Sequence, residues 1–273
     1  MDFAGCEEIV RDLPAVFRGW RLTTGTPADF PDLNPRGTIT RHETGWNWKE
    51  HGAPKARDWD RIPPRTNMRV ITGVHAAAIH WYLDANPDFL CLHGGAVKLG
   101  KGLICFPAKG RTGKSTLIAN LAAHGHKIFC DDVLGLSPPG ERGVALGLQP
   151  RLRVPLAPVL KPDVLDFIAA HSGLVDRGWH YLKLGRGQLA NLGEVAPITA
   201  FVNLERRKEG PTELSDVSTA EVLKNIIAEN IIRKLPMAVI FARLHKLAST
   251  RRRLRLTYSD PDEASRLLAA EFT

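Results

Sequence analysis

The chain has 273 residues, 44% of them hydrophobic and 24% charged, which suits an ordinary globular core and excludes a low-complexity or disordered polypeptide. No apolar run approaches the ~20 residues needed to cross a bilayer, and the acidic start MDFAGCEEIVRDL lacks the basic-then-apolar order of a secretory signal, so a cytoplasmic protein with no membrane partner is expected. The formal charge of +8 is concentrated in Arg206-Arg207-Lys208 and in Arg251-Arg252-Arg253 with Arg255; such runs are usually solvated faces, and without a helix-turn-helix or aromatic platform beside them nucleic acid is not favoured as a partner.

Residues 1–70 hold many prolines and four tryptophans, Trp20, Trp46, Trp48 and Trp59. Phe17–Leu22, Gly37–Thr40 and Gly45–Trp48 read as short strands of a small β-rich region, whose tryptophans serve packing before a substrate groove. Residues 71–273 read as the main domain. A helix pattern runs through His75–Leu83. Phe89–His93 then starts a strand that continues through Leu99, turns at Gly100-Lys101-Gly102 and returns as Gly102–Phe106. Leu117–Ala123 has helical periodicity closed by Gly125, and His126–Cys130 is again a strand. Val133–Leu136 extends the sheet as far as the turn at Pro138-Pro139-Gly140. A helix follows near 161–171, then a flexible-looking Gly185–Gln188, and Ile198–Leu204 is a core strand. Ser218 opens a helix to Lys234 with Glu221 completing a capping box. The tail is a strand, Arg253–Tyr258, and a helix from Asp260 with Pro261 in its first position. Cys6, Cys91, Cys105 and Cys130 lack C-x-x-C spacing, so they read as buried reduced thiols.

Between the strand ending at Phe106 and the helix at Leu117 lies Ala108-Lys109-Gly110-Arg111-Thr112-Gly113-Lys114-Ser115-Thr116. In G-x-x-x-x-G-K-[ST] loops, backbone N–H groups cradle phosphates, the lysine neutralises them and the hydroxyl ligates Mg²⁺. Here Ala108 replaces the first glycine, while Gly113, Lys114 and Ser115 are intact. All nine residues are candidates for binding a nucleotide, and the helix N-terminus adds its positive end. One helix later, Ile128-Phe129-Cys130 ends in Asp131-Asp132, where an acidic pair is placed to hold the metal.

The run LHGGAVKLGKGLICFPAKGRTGKSTLIANLAAHGHKIFCDD (92–132) resembles the catalytic core of HPr kinase/phosphorylase and its relatives. The shared order is strand and His-Gly, hairpin, strand, phosphate loop, helix, Gly-His, strand and Asp-Asp. The resemblance covers about 40 residues closely and extends more loosely over 200–273, where FVNLERRKEG is similar to a strand and loop of that family. It implies an α/β phosphate-loop fold akin to phosphoenolpyruvate carboxykinase and the use of ATP and Mg²⁺. By position it implies Lys114 on the β- and γ-phosphates, Ser115 and Asp131 on the metal, Asp132 as general base and His93 beside that base.

Three departures stand out. The glycine- and isoleucine-rich signature with the second metal carboxylate is missing, the late catalytic arginine is missing, and the N-terminal region differs. These argue against HPr as acceptor. Arg151, Arg153 and Arg186 are the candidates for a phosphate-stabilising arginine. Relatives of this size include kinases of ribosomally made peptides, such as lasso precursors, so the expected acceptor is a Ser/Thr hydroxyl of a peptide or small protein. A nucleotide-binding regulatory module and a nucleic-acid-stimulated ATPase are the alternative readings, and a homo-oligomer is left open.

Overall fold

A computed structural model describes residues 2–4, 6–23, 25, 27–29, 37–51, 66–108, 110–138, 141–231 and 235–273. At the N-terminus, β1 (Asp2–Ala4) precedes α1 (Glu7–Asp12), and β2 (Gly37–His42) and β3 (Gly45–Glu50) form a hairpin. β1 pairs with β2 in parallel, and β2 with β3 antiparallel. The next element, α2 (Asn67–Asp84), starts at Thr66, whose hydroxyl accepts the Arg69 N–H at 3.4 Å. Ile9, Leu13, Ile39, Trp46, Val70 and Ile71 pack into one core with Leu146, Leu148 and Tyr181 from later in the chain. Phe17–Leu22 does not form the expected strand, since Phe17 makes only a single bridge to Leu148. The Trp20 indole N–H instead bonds the Leu146 carbonyl at 2.8 Å, and Trp46 is buried with its N–H on Asn67 at 2.5 Å. Both are packing residues; Trp59 and the Trp48 side chain lie outside the described residues.

The central sheet begins with β4 (Leu90–Leu99) and β5 (Gly102–Pro107), an antiparallel hairpin, followed by α3 (Lys114–Ala123), β6 (Lys127–Cys130), β7 (Val133–Ser137) and β8 (Arg142–Ala145). β6 does not lie beside β5. It pairs with the second half of β4, while β7 pairs with the first half. A small antiparallel sheet of β9 (Arg151–Arg153), β10 (Ser172–Val175) and β11 (Trp179–Leu182) flanks α4 (Pro162–Ala170). The turn at Gly185–Gln188 is pinned, because the Ile128 N–H bonds the Gln188 carbonyl at 2.8 Å. β12 (Val195–Arg206) returns to the main sheet, with β13 (Glu213–Asp216), α5 (Thr219–Ala228), α6 (Met237–Thr250), β14 (Arg252–Tyr258) and α7 (Pro261–Phe272) completing the chain.

The strand order is β13-β14-β12-β5-β4-β7-β8, and the first residues of β12 also pair with β8, so five strands close into a ring. Alternation sorts the side chains of β5 between two layers. Ile104 and Phe106 face α3, α4 and α7, whereas Leu103 and Cys105 face α5 and α6. The result is helices on both faces of a mixed sheet. Burying a side chain such as Phe106 completely contributes roughly 1.5–3 kcal/mol. All four cysteines are buried and none is in a disulfide, and three of them lie in strands. No helix among the described residues is long and apolar enough to cross a membrane.

Candidate active site

The loop between β5 and α3 is shaped by two left-handed residues. Arg111 has φ +71° and Gly113, which caps α3, has φ +92°. Gly113 is required twice over, by that φ and by crowding. A Cβ added there would stand 2.8 Å from the Tyr258 hydroxyl and 3.4 Å from Arg206 Cδ. At Gly110 an added Cβ would meet nothing within 4 Å. We therefore expect Gly113→Ala to lower stability by about 1–3 kcal/mol, the usual scale of backbone strain. Gly110→Ala should stay within about 0.5 kcal/mol of the parent. Urea unfolding of both variants checks this, and equal losses would contradict the loop geometry.

Antiparallel pairing of β4 with β7 sets His93 opposite Val133, so the imidazole projects beside the acid pair that joins β6 to β7. His93 Nε2 lies 3.0 Å from Asp132 Oδ1, and Nδ1 lies 2.7 Å from Glu229 Oε2. The two carboxylates favour the protonated ring, while the Lys114 ammonium, which also reaches Nε2, opposes it. The hydrogen bond to Asp132 raises the His93 pKa most, against burial and the Lys114 charge, and the bond to Glu229 adds to the rise. Lys114, 6% exposed, brings its Nζ to 3.2 Å from His93 Nε2 and 3.9 Å from Asp132 Oδ1. On the other side, Arg151 Nη2 donates to Asp132 Oδ2 at 3.2 Å.

The two acids differ sharply. Burial pushes the Asp132 carboxyl up, but the bond from His93 and the charges of Arg151, Lys114 and His93 together hold it well below the ordinary carboxylate range. Asp131 is 5% exposed, and burial raises it, against Lys114 and the hydrogen-bonding Ser115 hydroxyl. Its Oδ2 accepts the Arg151 backbone N–H at 3.2 Å, while Oδ1 is buried with no partner among the described residues. His75 of α2 lies beneath the pair, and burial lowers its pKa to about 4, leaving it neutral.

The structure therefore brings Lys114, Asp132 and His93 together, with Ser115 against Asp131. Ala108, Gly110, Arg111, Thr112, Gly113 and Thr116 follow the loop and the first turn of the helix; Lys109 lies outside the described residues. Of the three candidate arginines only Arg151 reaches the acids. Arg153 instead lies over the Trp179 ring at 5.0 Å, where Arg151 also stacks at 4.6 Å. Arg186 is exposed on the Gly185–Gln188 turn.

Two site residues escaped the sequence. Glu229 sits past the end of α5, which stops at Ala228 instead of running to Lys234. There the chain joins β4: the His93 N–H bonds the Glu229 carbonyl at 2.8 Å and the Ile231 N–H bonds the Cys91 carbonyl at 2.9 Å. Tyr258 closes β14 under the loop. Tyr258 had one signal, its place at the end of a predicted strand; Glu229 had none, because the predicted helix ran past it.

The pairing of His93 favours its charged form, so it stabilises the fold fully below the ordinary histidine pKa. That stability fades as pH rises through the raised native value. Glu229→Gln should lower the native value and so narrow this window from its upper end, with Asp132 still in place. Following the His93 ring proton by NMR across pH tests it; an unchanged midpoint would mean that Glu229 does not engage the ring.

No protein-family model and no curated protein matches this chain. Among solved structures, the HPr(Ser) kinase/phosphatase from Coxiella burnetii is similar at 13% identity, covering 66% of this chain and 95% of that one with a TM-score of 0.33.

Proposed function

We propose that this chain is an ATP- and Mg²⁺-dependent kinase of the HPr kinase-like class, with its kinase domain over 71–273, that phosphorylates a Ser/Thr hydroxyl. The observation that carries this reading is the ionised Asp132 carboxylate held between Lys114, His93 and Arg151 at the mouth of the loop. A site that only binds nucleotide needs the lysine but no such carboxylate.

The residues present suit a divalent cation. Asp131 offers an unpartnered buried oxygen with the Ser115 hydroxyl interacting with the same carboxylate, a hard oxygen set of the kind Mg²⁺ takes with phosphate oxygens. When bound there, the ion supplies charge neutralisation at the β- and γ-phosphates. Lys114 would leave Asp132 for the incoming phosphates, so Asp132 loses one of its three cationic neighbours as the donor binds. The acceptor hydroxyl then attacks the γ-phosphorus and gives its proton to Asp132, while the bond from γ-phosphorus to the bridging oxygen breaks and ADP departs. Arg151, which already holds Asp132 Oδ2, orients the base and faces the same mouth. His93, anchored by Glu229, fixes the other oxygen.

The acceptor class, a peptide or small protein such as a ribosomally made precursor peptide, rests on the sequence resemblance alone, as does a cytoplasmic setting on composition and buried thiols. The test is incubation of the full chain with MgATP and Ser-containing peptides, read by mass spectrometry. Phosphoserine is expected. ADP release without phosphopeptide over a broad peptide panel would favour a hydrolytic regulatory module instead.

A further inference from the structure

Beside the loop, on the side away from Asp132, lies an open cavity of about 640 Å³. Strand order places it there. β12 and β14 run parallel to β5 and end next to the loop, while the acids and His93 lie across β4 on the other flank. Arg111 and Thr112 form its loop wall, and Arg206, Arg207 and Lys208 its strand wall. The one acid lining it, Glu205, is engaged by Arg207 at 3.0 Å and Arg255 at 3.5 Å. Among the described residues no carboxylate pairs with Arg111, Arg206 or Lys208. Arg206 and Tyr258 face each other in register at the strand ends, and both press on Gly113. The Tyr258 hydroxyl is buried, 1% exposed as a residue, and has no partner among the described residues. Burial raises its pKa to about 12, so it keeps a proton to donate.

Size fits the non-transferred end of a nucleotide, since small-ligand pockets run to roughly 300–1,000 Å³. The chemistry of the walls does not fit a base. Purine sites use aromatic or apolar slots with a few placed polar groups, and among the described lining residues only Val159 and Leu204 are apolar and none is aromatic. Unpaired guanidinium and ammonium groups are instead matched to phosphate oxygens, which arginine binds in bidentate fashion.

We propose, building on the phosphate-loop reading, that this cavity selects the donor by its polyphosphate chain and leaves the base unread. The donor class is accordingly any nucleoside triphosphate, with inorganic tripolyphosphate binding in the same place. Arg206 and Lys208 hold the phosphate farthest from the acceptor, and Arg111 reaches it from the loop.

Calorimetric titration of the full chain, with Mg²⁺ present, uses ATP, GTP, CTP, tripolyphosphate and adenosine as probes. The three nucleotides and tripolyphosphate should bind within about fivefold of one another, a spread of about 1 kcal/mol, and adenosine should not compete. Arg206→Gln/Lys208→Gln should weaken ATP and tripolyphosphate alike, by about tenfold or more for two charge-assisted contacts; both residues are exposed, and an unchanged melting temperature controls for folding. Discrimination above about 50-fold between ATP and CTP, which is more than 2 kcal/mol of base reading, overturns the proposal. So does a double variant that loses ATP but not tripolyphosphate. If ATP binds and tripolyphosphate does not, this inference falls and the kinase reading stands. If no phosphate compound binds, and Lys114→Ala behaves as the parent does, both fall.

Discussion

Asp132→Asn should bind ATP at least as tightly as the parent chain and transfer phosphate roughly 10²–10⁴-fold more slowly, the usual contribution of a general base. The amide keeps the side chain's size but cannot take the hydroxyl proton. It also stops competing for Lys114, which stands 3.9 Å from Asp132 Oδ1, so affinity for the donor has reason to hold or rise. Asp131→Asn should behave in the opposite way, losing Mg²⁺-dependent affinity and rate together, because a metal ligand acts before the transition state as well as in it. Single-turnover transfer and calorimetry on the two variants separate these outcomes. Wild-type transfer by Asp132→Asn would remove the base assignment.

Lys114→Ala should reduce ATP affinity by about 10–10²-fold, from the loss of a charge-assisted contact of roughly 1.5–3 kcal/mol, and should abolish detectable transfer. Removing this buried ammonium leaves Asp132 with two cations, Arg151 at 3.2 Å and His93 at 3.0 Å. The acid is therefore not stranded, and the fold should survive. Unaltered ATP binding by a folded Lys114→Ala would show that the loop does not hold the phosphates. Lys114→Met, which keeps most of the apolar stem, should lose binding equally if charge is the reason.

Much of this site was legible because its chemistry is local. Phosphate loop, helix, strand and acid pair fall within 25 consecutive residues, and the apolar runs on either side place the loop between β5 and α3 with no knowledge of tertiary structure. His93 was legible through its place in the same run. Glu229 was not: it lies 136 positions from the histidine it holds, and helical periodicity read straight through it. α5 stops there because the next backbone groups bond to β4, a tertiary demand that overrides local propensity. α6 does carry an amphipathic pattern, with Ile240, Leu244, Leu247 and Ala248 buried on one face, and reading the preceding helix as far as Lys234 obscured it. β8, β10, β11 and β13 have four residues each, too few for an alternation to rise above chance. Arg151 illustrates the middle case. Its residue type suggested a role, but only the fold reveals which of three arginines meets the acids.

The ring formed by β12, β5, β4, β7 and β8 has a mechanical consequence. Each of its members is hydrogen-bonded on both sides, so none can peel away without breaking a ladder on each flank. If the proposed transfer involves opening and closing, the connections at the strand ends must carry it, with the strands themselves as a stiff floor. Amide exchange should report this directly: protection near the global unfolding limit in β4, β5 and the middle of β12, and fast exchange at Gly110–Thr112. A donor that quiets the loop amides while leaving the ladder amides unchanged would be moving a hinge mounted on a rigid frame.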